Sequence, residues 1–175
     1  MIISGLEAAD LIMGDKRMIE QYINALIESM DAKAECLAEL LKETEAQTEL
    51  LKADVMNWDA FDELVDKKDK LIDELDDLDE GFQSVFDRVK DEMQADKERY
   101  KDGIVRLKEQ IKSVTEQSTS LMAAEHRNHE LASGRFAEEK RRLRQSKNTS
   151  RVAANYYANM NQINYIDPQL MDKKK

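Results

Sequence analysis

Apolar residues recur at helical spacing along most of the chain. They step by threes, fours and sevens in three successive series, without the alternation that strands require. Such spacing places one apolar stripe along each helix, and each stripe must pack against a partner helix. The first series is Ile19, Ile23, Leu26, Met30, Leu37, Leu41, Thr44, Leu51 and Val55, the second is Phe61, Leu64, Leu71, Leu75, Leu78, Phe82, Val85, Val89 and Met93, and the third is Ile104, Leu107, Ile111, Val114 and Leu121.

Interruptions of these series predict where the helices begin and end. Residues 1–16 are mixed and are predicted to form a flexible N-terminal arm, and the first helix is predicted from about Lys16 to Met56. Asn57 and Asp59 follow, and both residue types cap helix N-termini, because their side-chain oxygens accept free backbone N–H groups. We therefore predict a turn at 56–59 and a second helix that ends in the middle nineties.

The second turn is less sharply marked than the first. The apolar stripe fades over 95–103, apart from Tyr100, which places a reversal within that range and a third helix from about Gly103 to Gln145. The alternative is one uninterrupted helix over 58–145. Most of its apolar seam would then need a partner from a second copy of the chain, so a homodimer stays open as an alternative.

The chain changes character after position 145. Residues 146–150 are polar and predict a break, after which apolar residues return at helical spacing up to an extended segment before Pro168. This tail either docks on its own bundle or binds a partner, since Tyr offers a large contact area and Met adapts to irregular surfaces. The residues predicted to bind a partner are Val152, Tyr156, Tyr157, Met160, Ile163 and Tyr165.

Together these patterns predict an all-α fold. It is an antiparallel three-helix bundle or coiled coil over 17–145, followed by a short C-terminal amphipathic helix and tail over 146–175. The composition agrees, because 37% of the residues are charged and 6% are aromatic, which is typical of coiled coils and long bundles.

The charge is acidic overall but unevenly distributed. The net charge is −10, so the phosphates of a nucleic acid would be repelled and no nucleic-acid partner is predicted. Residues 54–98 hold 6 basic and 17 acidic residues (6 − 17 = −11), and residues 135–151 hold 7 basic and 2 acidic ones (7 − 2 = +5). These segments are either solvated helix faces or, for the acidic one, a flank that receives a basic partner. The run Lys140–Arg144 could also contact phosphate or anionic lipid, although cations are favoured near a helix C-terminus in any case.

No residue pattern predicts catalysis, a metal site or a cofactor. His126 and His129 share a helix face, but a di-iron bundle needs Glu-x-x-His on two helices, so we interpret this cluster as polar helix surface. The lone Cys36 has no histidine placed to activate it, and Glu35 and Glu39 would raise its pKa. The chain is therefore predicted not to be an enzyme.

The single cysteine also indicates the cellular compartment of the protein. A single thiol cannot form an internal disulfide, which favours a reducing compartment. No apolar run approaches the 18 residues of a spanning helix, and the start of the chain lacks the features of a signal peptide. We therefore predict a cytoplasmic protein without stable membrane insertion.

Several segments resemble a known family over residues 18–175. They are Leu40-Leu41…Glu45…Leu50-Leu51, the turn Met56-Asn57-Trp58-Asp59, Phe61…Leu64-Val65…Lys67-Lys68…Leu71-Ile72…Leu75, Leu107-Lys108…Ile111…Thr115-Glu116-Gln117…Leu121-Met122, and the tail Ser150-Arg151-Val152-Ala153…Tyr156-Tyr157…Tyr165-Ile166-Asp167…Lys173-Lys174-Lys175. In these segments the chain resembles flagellar export chaperones of the FlgN type.

This resemblance implies a function. It implies a non-enzymatic holdase that holds the helical ends of hook-associated proteins, the hook–filament junction proteins, before secretion and hands them to the export gate. The C-terminal region would then contact the cargo or the gate components. The alternative from another class is a structural coiled-coil homodimer or scaffold without chaperone activity.

Overall fold

The computed structural model describes the backbone of residues 5–163 and the side chains of residues 14–155 and residue 158. Three helices occupy this range: α1 (Gly5–Lys52), α2 (Trp58–Ala95) and α3 (Lys101–Ile163). No strand occurs within these bounds, so the all-α prediction is confirmed. The chain divides into two compact units, the first ending at Leu131 and the second beginning at Ala132.

Contacts within the first unit define the order of the helices. Between α1 and α2, Gln47 contacts Lys68 and Lys33 contacts Asp79, so the α2 number rises as the α1 number falls and the two helices are antiparallel. Between α1 and α3, Asp31 contacts Gln110 and Thr44 contacts Glu125, so these helices run in the same direction. The unit is therefore a bundle in which consecutive helices are antiparallel.

The core of the first unit lies along a broad face of α1. Buried α1 residues recur at spacings of three, four and seven, as an amphipathic helix packed against two neighbours requires. Burial of each large aliphatic side chain contributes about 1.5–3 kcal/mol. The main core cluster is Ile23, Leu26, Ile27, Met30, Leu37, Val89, Met93, Tyr100, Leu107 and Val114.

Two positions of the predicted α1 series are corrected. Leu40 is the buried residue, at 2% exposure, whereas the neighbouring Leu41 is half-buried. Val55 is 85% exposed, because α1 ends at Lys52 and Val55 lies in the following turn. The other buried members of the series confirm the predicted face; they are Ile23, Leu26, Met30, Leu37, Thr44 and Leu51.

The two turns lie close to their predicted places. Asn57 caps α2, since its side-chain Oδ1 accepts a hydrogen bond from the Ala60 N–H at 3.1 Å. The second turn covers residues 96–100 and is held by Tyr100, whose side chain is buried in the core. The alternative of one uninterrupted helix over 58–145 is wrong for this structure.

Two helix boundaries differ from the predictions. The backbone is helical from Gly5, so α1 begins before the predicted start near Lys16. The predicted interruption at 146–150 is not present, and α3 continues through it. The Thr149 hydroxyl donates to the Gln145 carbonyl oxygen at 2.9 Å, which shows how a polar residue is accommodated inside a helix. The predicted C-terminal helix is thus the final part of α3.

Gly103 is required by the packing of α3 on α1. A Cβ added to Gly103 would lie 2.7 Å from Cγ2 of Ile23, a buried and β-branched side chain that cannot turn away easily. We expect Gly103→Ala to destabilise the protein by about 1–3 kcal/mol in denaturant unfolding, despite the better helix propensity of alanine.

Gly81 provides the matched control. It is exposed in α2 and nothing lies within 4 Å of an added Cβ. Gly81→Ala is expected to stabilise by up to about 1 kcal/mol. Equal stabilisation by both substitutions would show that the contact between α3 and α1 at Gly103 is looser than described.

Candidate partner-binding surface

Five of the six residues predicted to bind a partner fall in the last part of α3. Val152 is 66% exposed. The backbone of Tyr156, Tyr157, Met160 and Ile163 is helical, but their side chains, and Tyr165 as a whole, lie outside the described residues. By helix register the positions 152, 156, 160 and 163 fall within an arc of about 80°. We call these four positions the tail stripe, and their role in binding stays a prediction.

A second apolar line lies on α3 and was not predicted. Phe136 is 56% exposed and Leu143 is 62% exposed. The two are seven residues apart and therefore share a helix face, whereas Leu143 and Val152 are nine residues apart and lie about 180° from each other. The seven-residue spacing is present in the sequence, but five of the six residues between Phe136 and Leu143 are charged, so no apolar series is apparent there.

Basic residues of the second unit form a stripe beside this line. Lys140, Arg144, Lys147 and Arg151 fall within an arc of about 60°. All four are exposed, and none forms an ion pair within the described residues. We call this set the basic stripe. Arg142 is excluded from it, because its guanidinium pairs with Glu138 at 2.6 Å and Glu139 at 3.8 Å.

The first unit contains a polar layer, formed by the buried Thr44, Gln47, Lys68 and Asn128 together with Thr48 and Glu125, which are only partly buried. The Lys68 ammonium group donates to Gln47 Oε1 at 2.8 Å and pairs with the Glu125 carboxylate. The Thr44 hydroxyl lies 2.6 Å from Glu125 Oε1 and 2.7 Å from the Leu40 carbonyl oxygen, so its single proton can be donated to either acceptor. These contacts join all three helices.

Asn128 completes the layer. Its Nδ2 donates to the Thr44 carbonyl oxygen at 2.7 Å, and its Oδ1 accepts from the Thr48 hydroxyl at 2.6 Å. The buried side-chain atoms without a partner in the described part of the chain are Oε1 of Gln110 and Oε1 of Gln117, which lie outside the layer. Because its members satisfy one another, the layer fixes the register of the helices rather than offering a ligand site.

The structure supports neither a metal site at His126 and His129 nor a reactive thiol at Cys36. His126 and His129 are exposed, and no group of residues able to hold a metal ion is found among residues whose side chains are described. Cys36 is buried and its thiol donates to the Leu71 carbonyl oxygen at 3.2 Å. Burial, followed by the charges of Glu74 and Glu39, raises the pKa of this thiol, which disfavours the nucleophilic thiolate.

Surface charge and hydrophobicity follow simple patterns. Every Asp and Glu of α2 is exposed, as both interpretations of the acidic segment require, the solvated helix face and the flank that receives a basic partner. Among the described helices, none combines the length and the hydrophobicity that crossing a bilayer requires.

Comparison with known proteins places the chain in a family. The family model described as FlgN protein matches residues 18–161, which is more than half of the chain. No match was found among curated proteins or among solved structures. The matched range covers most of the three-helix architecture and extends into the tail stripe. The chain therefore belongs to the FlgN family of flagellar export chaperones.

Proposed function

We propose that this chain is a cytoplasmic, non-enzymatic holdase that binds hook-associated proteins before export and presents them to export-gate components. The observation that carries the proposal is the family match over residues 18–161. A chaperone of this kind needs an apolar surface that stays accessible until its cargo arrives. The exposed side chain of Val152 on α3 supports that requirement.

The tail stripe is the proposed contact for cargo or gate. Val152 is largely exposed on α3, and the helical backbone carries three further apolar positions onto the same face. An amphipathic helix of this kind binds by laying its apolar face against a partner helix or groove. Tyr157 and Tyr165, which flank the stripe in sequence, would extend the contact.

One observation favours an alternative to the holdase function, a structural homodimer. Phe136 and Leu143 repeat at seven residues on an exposed face, the spacing by which two copies could pair. Against it, α2 ends at Ala95 and packs on α1 of the same chain, so the bundle does not need a second copy to cover its seam. Sedimentation of the free protein tests whether it forms the homodimer that this alternative requires, and a monomer would exclude the alternative.

The binding prediction compares two faces of α3. Tyr156→Ala with Met160→Ala is expected to weaken binding to the C-terminal helix of a hook-associated protein at least tenfold, equivalent to about 1.4 kcal/mol, because a few anchors usually dominate an interface. The matched control is Phe136→Ala with Leu143→Ala on the opposite face, which should leave the affinity within about twofold. Titration calorimetry measures both.

Deletion of residues 146–175 tests the same proposal more severely. The remaining bundle should keep its helicity, because the core cluster ends at Val114, and cargo binding should be lost. Unfolding on truncation would mean that the tail belongs to the core. Intact folding with unchanged affinity would exclude the tail stripe as the cargo-binding site and would favour a site on the flank of the bundle.

A further inference from the structure

An open groove lies where the end of α2 meets the beginning of α3. It encloses about 420 Å³ and belongs entirely to the first unit. Its floor is apolar and consists of Phe86, Met93, Ile104 and Val105. Met93 and Ile104 connect the floor to the core, whereas Val105 is 47% exposed. We call this feature the α2–α3 groove.

Lysines surround the groove. Its lining includes Lys90, Lys97, Lys101 and Lys108 and one acidic residue, Glu98. Lys90 is engaged with Asp87 at 2.8 Å, whereas the other three lysines are exposed and form no ion pair within the described residues. Their charges are therefore available to a ligand, and their aliphatic stems extend the apolar surface.

The local charge is opposite to that of the chain. Because Lys90 is paired with Asp87, the other three lysines and Glu98 give the lining +2 (3 − 1). The remaining residues, which include the Lys90–Asp87 pair, hold 24 basic residues (27 − 3) and 36 acidic residues (37 − 1), a balance of −12. An acidic ligand is thus repelled by most of the surface and attracted at this place, which favours both orientation and rate of encounter.

We propose that the α2–α3 groove binds an amphipathic helix of a partner protein whose apolar stripe is flanked by Asp and Glu. The apolar floor takes the stripe and the unpaired lysines meet the flanking carboxylates. A volume of about 420 Å³ accommodates a few side chains, as one or two helical turns present. A simple inorganic anion would gain nothing from the floor, and nucleic acid would be repelled by the remaining charge. The groove and the tail stripe have no residue in common.

Two synthetic peptides test the charge requirement. Each is about 18 residues long, or five helical turns, with Leu along one face. One carries Glu beside the Leu stripe and the other carries Lys at the same positions. In fluorescence anisotropy with the full chain, the Glu peptide is expected to bind at least tenfold more tightly, and its affinity should fall as salt is raised.

Matched variants test whether the Glu peptide binds in the α2–α3 groove. Lys101→Glu with Lys108→Glu is expected to weaken binding of the Glu peptide at least tenfold. Lys67→Glu with Lys70→Glu changes the net charge equally at exposed positions elsewhere on α2 and should leave binding within about twofold. Val105→Asp should likewise abolish binding, whereas Ile111→Asp, at an exposed position outside the groove, should not. Circular dichroism confirms that each variant is folded.

Other results would overturn the proposal. Equal binding of the two peptides, or unchanged binding by the Lys101 and Lys108 variant, excludes an acidic helix in this groove. Loss of peptide binding in the Tyr156→Ala, Met160→Ala variant would assign the peptide to the tail stripe instead. If the groove variants change the sedimentation of the protein alone and no peptide binds, the groove is an interface between copies of this chain.

Discussion

Leu40→Ala is expected to lower the free energy of unfolding by about 2–5 kcal/mol, the cost of deleting a buried leucine side chain and leaving a cavity. Leu40 is 2% exposed and faces the other helices. The loss is large for a domain whose total stability is about 5–15 kcal/mol. Chemical denaturation followed by circular dichroism measures it.

Leu41 is the internal control for this prediction. It is the same residue type in the same helix, one position further on, and is half-buried. Leu41→Ala should therefore cost roughly half as much or less. If Leu41→Ala proves the more harmful of the two, the face of α1 that we assign to the core is rotated by one position.

Lys68→Met is the second large effect that we expect, a loss of about 1–3 kcal/mol. The substitution keeps the apolar stem but leaves Gln47 and the Glu125 carboxylate without their buried cation. The loss stays below that of a fully buried pair, because Glu125 retains contact with water. Thermal and denaturant unfolding should agree on its size.

A double-mutant cycle assigns this loss to the polar layer. Adding Glu125→Gln to Lys68→Met removes the uncompensated charge and should restore part of the stability. Lys67→Met, next to it but exposed, should change stability by less than about 0.5 kcal/mol. Equal effects of the Lys67 and Lys68 substitutions would mean that the layer contributes nothing to the fold.

Periodicity predicted the helices and turns because it reports on local geometry. The reversal around Tyr100 and the cap at Asn57 followed from loss of the stripe and from residue chemistry. Periodicity could not decide between adjacent leucines such as Leu40 and Leu41, since a broad stripe allows several rotations of the helix. Periodicity also did not predict the helix through 146–150, where the Thr149 hydroxyl bonds to the backbone of its own helix.

Features formed by residues on different helices could not be predicted from periodicity. Lysine is rarely buried, so Lys68 was not expected inside the bundle, and its partner Glu125 is brought near by α3. The α2–α3 groove arises for the same reason, because its lysines come from two helices and the turn between them. The FlgN family resemblance was confirmed, whereas the role of the tail stripe stays a prediction.

The continuation of α3 past residue 131 has a thermodynamic consequence. From Ser133 to Asn155 its side chains are exposed or half-buried, so helix propensity weighs heavily in the balance between helix and coil there. A partner that recognises the helical form must supply the free energy of ordering it. Residues such as Gly134 and Asn148, which favour helix weakly, therefore lower the affinity of any partner that recognises this part of α3 as a helix. For the proposed holdase, the weak helix propensity of this segment would ease the release of a bound partner.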